Sequence, residues 1–472
     1  MSVRKILIGG EWVEADDSFE VRNPFNGELL ANVSEAGDDL NERSLAAASD
    51  AAKKMRDLPR FRIAKGLRAI SDRIAARKDE FVRSIALESA KPLMYARGEV
   101  ERAIANFSWA AGEAERFTGE IVPLDVQASG KGKWGRTMRV PRGVIYGITP
   151  FNFPLNLVAH KVGPALASGN AIIIKPSSRT PLTALLLGEV FLDCGLPEAA
   201  LQVVPTDVKN VDAIITDERI AMVSFTGSAA VGWDLRSKAA KKPVALELGG
   251  NAPVIVDESA DHERSLSRTV TGAFAYSGQV CISVQRVYVH SSRFDDWTEE
   301  FIKRSRKLVT GDPLDEKTQL SVMIDEDAAK RSESWVEEAA SNGAKVLLGG
   351  DRDGAHLSAT VLTNTDPEMR VVSEEVFAPI AVVERFDRFE DAIEMANNSK
   401  YGLQAGVFSN NGSNIERAAE RLEYGGVIIN DAPIFRVDNM PYGGMKESGF
   451  GREGVRYAME EMSEIKLVVH EK

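Results

Sequence analysis

The two cysteines of this sequence lie in different surroundings, and one of them has the setting of a nucleophile. Cys281 lies in the segment SGQVCIS, among small and polar residues and upstream of Arg286. A single cysteine in such a setting is a candidate nucleophile, although a buried structural thiol is the commoner role of a cysteine. Cys194, in FLDCGLP, has apolar neighbours at a predicted helix end, so we expect it to be structural.

A second candidate for chemistry is Glu247, an acid in a mostly apolar predicted strand that two glycines follow (ALELGGN). Burying a carboxylate costs free energy unless the group has a partner or a task. Glu247 is therefore a candidate functional residue.

Two predicted strand ends carry residues suited to bind an anion. The strand AMVSF runs into a turn at Gly227 and Ser228 and then into a helix, so free backbone N–H groups and a hydroxyl meet at a helix N-terminus. A plain N-cap by Ser228 is an equally good interpretation. Lys175 ends the strand IIIK, at the edge where open α/β sheets bind ligands; the alternative is a solvated surface lysine.

The sequence also contains two GxGxxG strings, at 130–135 and 449–454, but neither has the context of a dinucleotide-binding fingerprint. The first does not follow an apolar strand, and too few residues follow the second to form a βαβ unit. We interpret both as backbone turns. The polar segment Ser129–Trp134 is expected to form a projecting hairpin or arm.

An alternation of strands and helices must position these residues. Short strands are predicted at the N-terminus, and the Ala-rich pattern from Asp38 to Phe117 is helical. Strand-like runs then alternate with helical stretches, first in 142–228 and again from 244 to about 443. Such alternation predicts βαβ units and parallel sheets. We therefore predict an α/β protein with two successive lobes and a C-terminal strand at IKLVVHE.

The composition excludes several classes of protein. The 472 residues, 44% hydrophobic and 27% charged, are typical of a globular protein with several domains. A net charge of −12 argues against a general nucleic-acid binder or a binder of anionic membranes. Two cysteines exclude a disulfide framework, and with no CxxC or Cys/His cluster we expect no metal. Without a signal-like or membrane-spanning apolar run, the expected location is cytoplasmic.

Seven short motifs, taken in order, identify a family. The sequence resembles the aldehyde dehydrogenase superfamily, including its lactaldehyde and small anionic aldehyde branch, in PFNFP (150–154), KPSS (175–178), FTGS (225–228), LELGGN (246–251), GQVC (278–281), EEVFAP (374–379) and PYGGMKESGFGRE (441–453). The resemblance implies a Rossmann-type nucleotide-binding lobe (1–116 and 137–246), an α/β catalytic lobe (247–443) and a small β oligomerisation element (117–136 and 444–472). It also implies a homodimer or homotetramer.

The resemblance implies catalytic roles for Cys281 as nucleophile, Asn152 as oxyanion-hole amide, Glu247 as general base and Glu453 as an acid that relays protons. A thiolate would attack the aldehyde, the amide would stabilise the oxyanion, and the base would activate water to hydrolyse the thioester. Relatives that transfer the acyl group to CoA commonly lack this base, so the expected product is the free acid. An acylating or phosphorylating oxidoreductase and a non-catalytic relative with a structural role are the alternatives.

By the same resemblance the cofactor is NADP or NAD. The residues expected to hold it are Lys175 and Ser178 at the adenosine ribose, Gly227 and Ser228 at the pyrophosphate, and Glu375 and Phe377 at the nicotinamide ribose and ring. NAD-preferring members often carry a glutamate where Ser178 stands, and that glutamate repels a 2′-phosphate. With Arg179 and Lys175 nearby, we expect NADP to be accepted.

The residues expected near the aldehyde tunnel, again by resemblance, are Arg102, His160, Phe435 and Arg436. Arg102 and His160 replace residues that are apolar in members for fatty or aromatic aldehydes, and Asn156 shares a helix face with His160. A buried arginine without a protein partner needs an anion. The predicted substrate is thus a short aldehyde bearing a phosphate, phosphonate, sulfonate or carboxylate, or else a small hydroxyaldehyde such as lactaldehyde or glyceraldehyde. The competing interpretation pairs Glu99 with Arg102 and makes His160 a satisfied core residue.

Overall fold

The computed structural model describes residues 3–471 of the chain, so Met1, Ser2 and Lys472, which the predicted domain ranges include, lie outside the described residues. The strands are, in chain order, β1 (Ile6–Ile8), β2 (Glu11–Val13), β3 (Asp17–Arg22), β4 (Leu29–Glu35), β5 (Ile121–Pro123), β6 (Lys133–Pro141), β7 (Val144–Ile148), β8 (Ala171–Lys175), β9 (Leu201–Val203), β10 (Ile220–Thr226), β11 (Val244–Glu247), β12 (Ala252–Val256), β13 (Val284–His290), β14 (Lys345–Leu348), β15 (Arg352–Asp353), β16 (His356–Leu357), β17 (Thr360–Thr363), β18 (Ile380–Phe386), β19 (Tyr401–Gly402), β20 (Gln404–Phe408), β21 (Gly426–Ile429), β22 (Met445–Lys446), β23 (Gly449–Phe450) and β24 (Ser463–Glu471).

The helices are α1 (Asp38–Asp57), α2 (Arg60–Ala76), α3 (Lys78–Ser89), α4 (Leu93–Arg116), α5 (Asn156–Ala167), α6 (Leu182–Leu192), α7 (Val208–Thr216), α8 (Ala229–Lys238), α9 (His262–Phe274), α10 (Phe294–Ser305), α11 (Glu326–Ser341), α12 (Arg370–Ser373), α13 (Phe389–Asn397), α14 (Gly412–Arg421) and α15 (Val455–Glu461). Short 3-10 helices lie at Ala128–Gly130, Glu198–Ala200, Ala275–Gly278 and Ser291–Arg293. Among residues 3–471, no helix is both long and apolar enough to cross a membrane.

The first sheet has the strand order β2-β1-β9-β8-β7-β10-β11-β23 within residues 3–471. Its central strands, β9 to β11 in this order, run parallel, as the alternation predicts. Strands β7 and β8 are buried along their whole length, which explains their continuous apolar runs. The chain runs from β7 through β8 to β9 and then returns with β10 to the other side of β7. The switch point, where open α/β sheets bind ligands, therefore lies between β7 and β10.

The second sheet has the order β14-β17-β18-β13-β12-β20-β21 within the same residues, and its strands are parallel apart from β14. Side chains alternate across it: Val254 and Val256 pack in one core cluster with Trp297, and Ile255 packs in another with Tyr288. The two successive parallel sheets confirm the predicted α/β class with two lobes.

A short connection joins the two sheets and defines where the site lies. Residues 248–251 lead from the C-terminal end of β11 to the N-terminal end of β12. Cys281 comes shortly before the N-terminal end of β13, which pairs with β12. The candidate residues thus gather between the C-terminal edge of the first sheet and the N-terminal edge of the second.

A small sheet of β24, β6 and β5 lies apart from the two large ones in the described part of the chain. Strand β24 pairs antiparallel with β6 from Ser463 to Glu471, and Ser129–Trp134 leads into β6, as expected for an arm. Strand β23, although within the range 444–472, pairs instead with β11 at the edge of the first sheet. Gly451 and Gly454 have φ values of 88° and 98°, which agrees with a backbone turn rather than a dinucleotide fingerprint.

Candidate active site

An unusual backbone segment precedes Cys281 and determines its position in the site. Between α9 and β13 the chain passes through Tyr276, Ser277 and Gly278, which have φ values of 50°, 54° and 68°. A left-handed conformation costs about 1–2 kcal/mol for a residue with a side chain, and such costs concentrate at functional sites. Gly278 is required here, because a Cβ atom would lie 2.0 Å from the carbonyl oxygen of Ala378. The surrounding contacts therefore fix the turn that presents Cys281.

Cys281 lies at the junction of two cavities of similar size. The first, which we call the strand-end cavity, measures about 210 Å³ and is lined by Asn152, Gly227, Ser228, Glu375 and Phe377, among others. The second, which we call the helix-side cavity, measures about 220 Å³ and is lined by Tyr95, Arg102, Asn156, Arg436 and Tyr442, among others. A reactant in either cavity can therefore reach the same sulfur atom.

The Cys281 sulfur is close to a tyrosine hydroxyl that the sequence analysis did not single out. Its Sγ lies 2.9 Å from Oη of Tyr442. The pKa of the thiol is raised to about 11, chiefly by burial and to a smaller extent by the carboxylates of Glu375 and Glu247; the Tyr442 hydrogen bond and the Arg436 charge act in the opposite direction. The thiolate form therefore depends on groups that offset the loss of solvation.

The side chain of Asn152 is tied to the segment that carries Cys281. Its Nδ2 donates a hydrogen bond of 2.9 Å to the backbone carbonyl of Gln279, and both Asn152 and Cys281 line the strand-end cavity. An amide nitrogen carries two N–H groups, so one of them is left to serve an oxyanion. The structure thus brings the expected nucleophile and the expected oxyanion-hole amide together.

A buried ion pair holds the loop that carries Asn152. Lys91 and Glu99 pair with each other, and both side chains are fully buried. Lys91 Nζ also donates a hydrogen bond of 2.6 Å to the backbone carbonyl of Asn152. Glu99 accepts hydrogen bonds of 2.9 and 3.1 Å from the backbone N–H groups of Leu155 and Asn156, at the start of α5. The alternative of a Glu99–Arg102 pair is therefore wrong, because Lys91 and two backbone donors occupy the Glu99 carboxylate.

Glu247 is buried at the end of β11, and neither of its carboxylate oxygens has a hydrogen-bond partner among residues 3–471. Burial and the nearby charge of Glu453 raise its pKa well above that of an ordinary glutamate, against the charges of Arg436 and Lys161. Glu453 behaves in the opposite way. Burial favours its neutral form, but Lys161, at 3.4 Å, and Arg436, at 2.9 Å, help to lower its pKa to about 2.

The two carboxylates thus have separate protonation states. Glu453 stays ionised, whereas the neutral form of Glu247 is favoured and its carboxyl takes up a proton at higher pH than an ordinary glutamate does. A raised pKa is what a general base requires, whereas a carboxylate held by two cations is a weak base. The relay role of Glu453 stays a prediction; the geometry shows it as a charge that acts on Glu247.

The donors at the N-terminus of α8 are free for an anion. Ser228 occupies the N-cap position without a capping hydrogen bond from its side chain, so the plain N-cap interpretation is wrong for its hydroxyl in the described structure. The hydroxyl of Thr226 is buried with no partner among the described residues. Together with the helix N-terminus these groups fit a phosphate of the cofactor.

Glu375 and Phe377 also line the strand-end cavity. The Glu375 carboxylate accepts a hydrogen bond of 3.1 Å from the backbone N–H of Gly250, and a Cβ at Gly249 would lie 2.0 Å from it. Gly249 therefore lets this carboxylate approach the backbone. Burial raises the pKa of Glu375 to about 7. The phenyl rings of Phe377 and Phe151 meet edge to face, with centroids 6.0 Å apart.

The two residues expected at the adenosine ribose differ in exposure. Lys175 is buried at the C-terminal end of β8, and burial lowers its pKa against the charges of Glu35 and Asp207. The surface-lysine alternative is therefore wrong. Ser178 is exposed, and Arg179 donates a hydrogen bond of 2.9 Å to Asp325. Of the two cations expected near a 2′-phosphate, Arg179 thus already has a carboxylate partner.

Two arginines line the helix-side cavity, and each has one carboxylate partner. Arg102, whose side chain is 27% exposed, donates to Asp438 at 2.8 Å. The side chain of Arg436 is buried, donates to Glu453 at 2.9 Å and stacks on the ring of Tyr442 with its guanidinium carbon 3.6 Å from the ring centroid. The premise that Arg102 lacks a protein partner is wrong, because the loop after β21 supplies Asp438.

His160 and Phe435 take other positions than expected. The His160 side chain is fully buried, with Nε2 2.8 Å from Asp438 and Nδ1 3.1 Å from the amide of Asn106. It therefore supports the partner of Arg102 from behind the cavity wall, as the satisfied-core interpretation holds, and it does not face a ligand. Phe435 is 42% exposed and turns its backbone carbonyl, not its ring, to the buried Gln404. Sequence spacing alone could not show which of Phe435 and Arg436 points inward.

Three residues that shape the site have no role predicted from the sequence: Lys91, Asp438 and Tyr442. Tyr442 stands inside the quoted motif PYGG, so the signal was present but had no role attached. Lys91 and Asp438 have no local signal, because their partners lie far along the chain: Lys91 meets Asn152 across 61 positions and Asp438 meets Arg102 across 336.

Comparison with known proteins gives consistent results over the whole chain. A profile of the aldehyde dehydrogenase family matches residues 12–468. The chain is 41% identical over 466 residues to 3-sulfolactaldehyde dehydrogenase of Priestia aryabhattai, covering 98% of this chain and 97% of that protein.

Two solved structures are similar as well. Aldehyde dehydrogenase 21 from Physcomitrella patens, in complex with the reaction product succinate, has a TM-score of 0.98 and 40% identity, covering 100% of this chain and 98% of that one. Glyceraldehyde-3-phosphate dehydrogenase of Methanocaldococcus jannaschii, complexed with NADP, has a TM-score of 0.93 and 38% identity, covering 97% and 100%. These matches confirm the family, the α/β fold and the enzyme class expected from the motifs, and the chain belongs to the aldehyde dehydrogenase family.

Proposed function

We propose that the protein oxidises a short aldehyde carrying an anionic group to the carboxylic acid, with NADP or NAD as the acceptor. The observation that carries this proposal is the pair Arg102 and Arg436 in the cavity beside Cys281. Each guanidinium holds one carboxylate, yet keeps a buried Nε–H that has no partner among residues 3–471. A buried donor left unpaired costs about 1–3 kcal/mol, and an anionic ligand that accepts from it would remove this cost.

In the proposed reaction the Cys281 thiolate attacks the aldehyde carbon and a thiohemiacetal oxyanion forms. Because one N–H of the Asn152 amide is engaged by Gln279, its other N–H and the backbone N–H of Cys281 are the donors assigned to this oxyanion. NADP or NAD supplies the hydride acceptor when bound in the strand-end cavity. The thioester left on Cys281 is then hydrolysed by water that Glu247 deprotonates, which the raised pKa of Glu247 favours.

The relatives support an anionic substrate. The Priestia enzyme is named for sulfolactaldehyde, the Physcomitrella structure contains succinate, and the Methanocaldococcus enzyme is named for glyceraldehyde-3-phosphate. A sulfonate, a carboxylate and a phosphate are all anions that an arginine binds well. Small hydroxyaldehydes are the second candidate, because Asn156 and Tyr442 supply neutral polar groups to the same cavity.

Initial rates with matched aldehydes test the substrate class. Succinic semialdehyde and butanal have the same chain length, and one of them carries a carboxylate. A charged hydrogen bond is worth about 1.5–3 kcal/mol, so kcat/KM should favour succinic semialdehyde by roughly 10–150-fold. Lactaldehyde in the same series measures the hydroxyaldehyde alternative. A preference for butanal over every anionic aldehyde would contradict the proposal.

A product assay tests the rival reaction types. With Glu247 as base, the free acid should form at the same rate with and without CoA or phosphate. Acyl-CoA or acyl phosphate as the main product would instead assign the protein to the acylating or phosphorylating class. Absence of turnover with every aldehyde would favour the non-catalytic alternative.

The proposed cofactor residues are those expected from the motifs: Lys175, Ser178, Gly227, Ser228, Glu375 and Phe377. Ser178 is exposed and offers no charge to repel a 2′-phosphate, so NADP is accepted, and the Methanocaldococcus relative was solved with NADP. Replacing Ser178 by glutamate should shift the ratio of kcat/KM values towards NAD. An unchanged ratio would contradict a role of Ser178 in the choice of cofactor.

We also propose the domain ranges given by the family resemblance, a cytoplasmic location and a homodimer or homotetramer. The assembly is supported by an apolar row on the small sheet. Ile465, Leu467 and Val469 alternate along β24, share one face and are exposed by 61%, 51% and 51%. Exposed apolar patches of this kind commonly mark interfaces. Light scattering of the purified protein tests this assembly, and a monomer at micromolar concentration would contradict it.

A further inference from the structure

Tyr442 is held by contacts to its backbone and to the face of its ring. Its backbone pairs with Glu453 in both directions: the Tyr442 N–H donates to the Glu453 carbonyl at 3.0 Å, and the Glu453 N–H donates back at 2.6 Å. The guanidinium of Arg436 stacks on its face. The side chain is buried, and its hydroxyl lies 2.9 Å from the Cys281 sulfur. Tyr442 is thus held at its backbone and at its ring face, with its hydroxyl beside the sulfur.

We propose that Tyr442 is a positioning residue for the nucleophile, in which the phenol O–H donates a hydrogen bond to the Cys281 sulfur and stabilises the thiolate at the junction of the two cavities. The inference rests on the proposed role of Cys281 but not on the substrate class. No covalent bond to Tyr442 is involved.

The direction of this hydrogen bond follows from the protonation states. A neutral thiol and a phenol can each donate to the other, but a thiolate has no hydrogen to donate and can only accept. Burial raises the pKa of Tyr442 well above that of an ordinary tyrosine, so the phenol keeps its proton over the working range. Tyr442 is thus a donor whenever Cys281 is reactive.

The contact also has a consequence after the attack. Once the sulfur is bonded to the substrate carbon it carries no charge and is a weak acceptor. The Tyr442 hydroxyl lines the helix-side cavity, so it becomes free to bind the substrate there. The hydrogen bond therefore favours the free thiolate without holding the later thioester.

Alkylation of Cys281 by iodoacetamide as a function of pH tests the inference without aldehyde or cofactor. Thiolate reacts and thiol does not, so the midpoint of the rate profile reports the pKa of Cys281. A hydrogen bond to a charged group corresponds to about 1–2 pKa units, so Tyr442→Phe should raise this midpoint by that amount. Near neutral pH the thiolate fraction should fall by roughly 10–100-fold and the rate by roughly 3–10-fold, because a more basic thiolate is intrinsically more nucleophilic.

Tyr95→Phe is the matched control, because Tyr95 also lines the helix-side cavity but makes no hydrogen bond to the Cys281 sulfur in the described structure. Its alkylation midpoint should stay at the wild-type value. A thermal melt of each variant detects a purely structural role, because such a role would lower Tm without changing the midpoint of the alkylation profile. As a second readout, single-turnover mixing should show slower formation of reduced cofactor in Tyr442→Phe, with hydrolysis of the thioester unchanged.

The outcomes distinguish this inference from the proposed function. If Tyr442→Phe keeps the wild-type midpoint, the inference is overturned even though Cys281 remains the nucleophile. If iodoacetamide labels Cys281 in the wild type without loss of aldehyde oxidation, the proposed function fails first.

Discussion

The two cavities that meet at Cys281 are of similar size but are built in different ways. The strand-end cavity is formed by turns that directly follow β7, β10 and β11, together with the segment around Glu375. The helix-side cavity is formed by side chains from α4 and α5, from the turn before Cys281 and from 434–442. The strand-end cavity is therefore formed mainly by backbone at strand ends, whereas the helix-side cavity is formed by side chains from distant parts of the chain.

We propose that this difference separates what the two cavities recognise. Backbone N–H groups and hydroxyls at the N-terminus of α8 are the donors proposed for a cofactor phosphate. Arg102 and Arg436, each paired with a carboxylate, are the cations proposed for the anionic group of the aldehyde. In this proposal the cofactor is bound largely by backbone groups, and the choice of aldehyde depends on side chains.

The largest expected effect comes from the residue that both cavities share. Cys281→Ala should lower aldehyde oxidation by about 10⁴-fold or more, because the covalent intermediate cannot form. Cofactor affinity, measured by fluorescence titration, should survive because the other walls of the strand-end cavity are unchanged. Cys194→Ala is the control: Cys194 is buried away from both cavities, so this variant should keep its turnover. Turnover of Cys281→Ala within about tenfold of wild type would refute its role.

The next largest effect distinguishes formation of the thioester from its hydrolysis. Glu247→Gln should slow steady turnover by roughly 10²–10⁴-fold, because deacylation needs the base, while a burst of reduced cofactor remains. In the wild type the base acts when deprotonated. Since burial raises the pKa of Glu247, turnover should fall with decreasing pH at higher values than an ordinary glutamate would give, and the variant should lose this dependence. A missing burst in stopped-flow mixing would assign Glu247 to an earlier step.

The third effect concerns the support of the oxyanion amide. Lys91→Met leaves the buried Glu99 carboxylate without its cation, which should lower the free energy of unfolding by about 3–5 kcal/mol. The second change Glu99→Gln removes this charge and should restore part of the loss. Lys78→Met is the matched control, because the Lys78–Glu101 pair lies at the surface and should contribute about 1 kcal/mol or less. Equal losses for the buried and surface pairs in urea titrations would contradict the account.

The strand-end cavity could be predicted from the sequence in two ways. Glu375 and Phe377, which lie before β18, were predicted by the family resemblance alone, and both line the cavity. Gly227 and Ser228 line it at the turn after β10, where the sequence predicts a strand, a turn and a helix. The backbone pattern of strand, turn and helix determines where such residues lie, whatever packs around them.

The helix-side cavity could be predicted only in part. Arg102 and Arg436 line it as expected, but the sequence did not reveal that Asp438 would pair with Arg102 or that His160 would lie behind it. The burial of Lys91 beside Glu99 also follows from the docking of 91–99 against the start of α5, which no local pattern encodes. Tertiary packing determines which distant side chains pair, and the spacing of residues along the sequence does not predict that packing.

The anion site proposed beside Cys281 is tested by comparing two substrates in one variant. Arg102→Leu removes a guanidinium from the helix-side cavity and leaves the strand-end cavity intact, with Arg97→Leu, which removes an exposed arginine of the same helix, as control. We expect kcat/KM for succinic semialdehyde to fall by roughly 10–150-fold and kcat/KM for butanal to change little. Equal losses on the two aldehydes would show that Arg102 only supports Asp438 and His160, and would contradict an anion site beside Cys281.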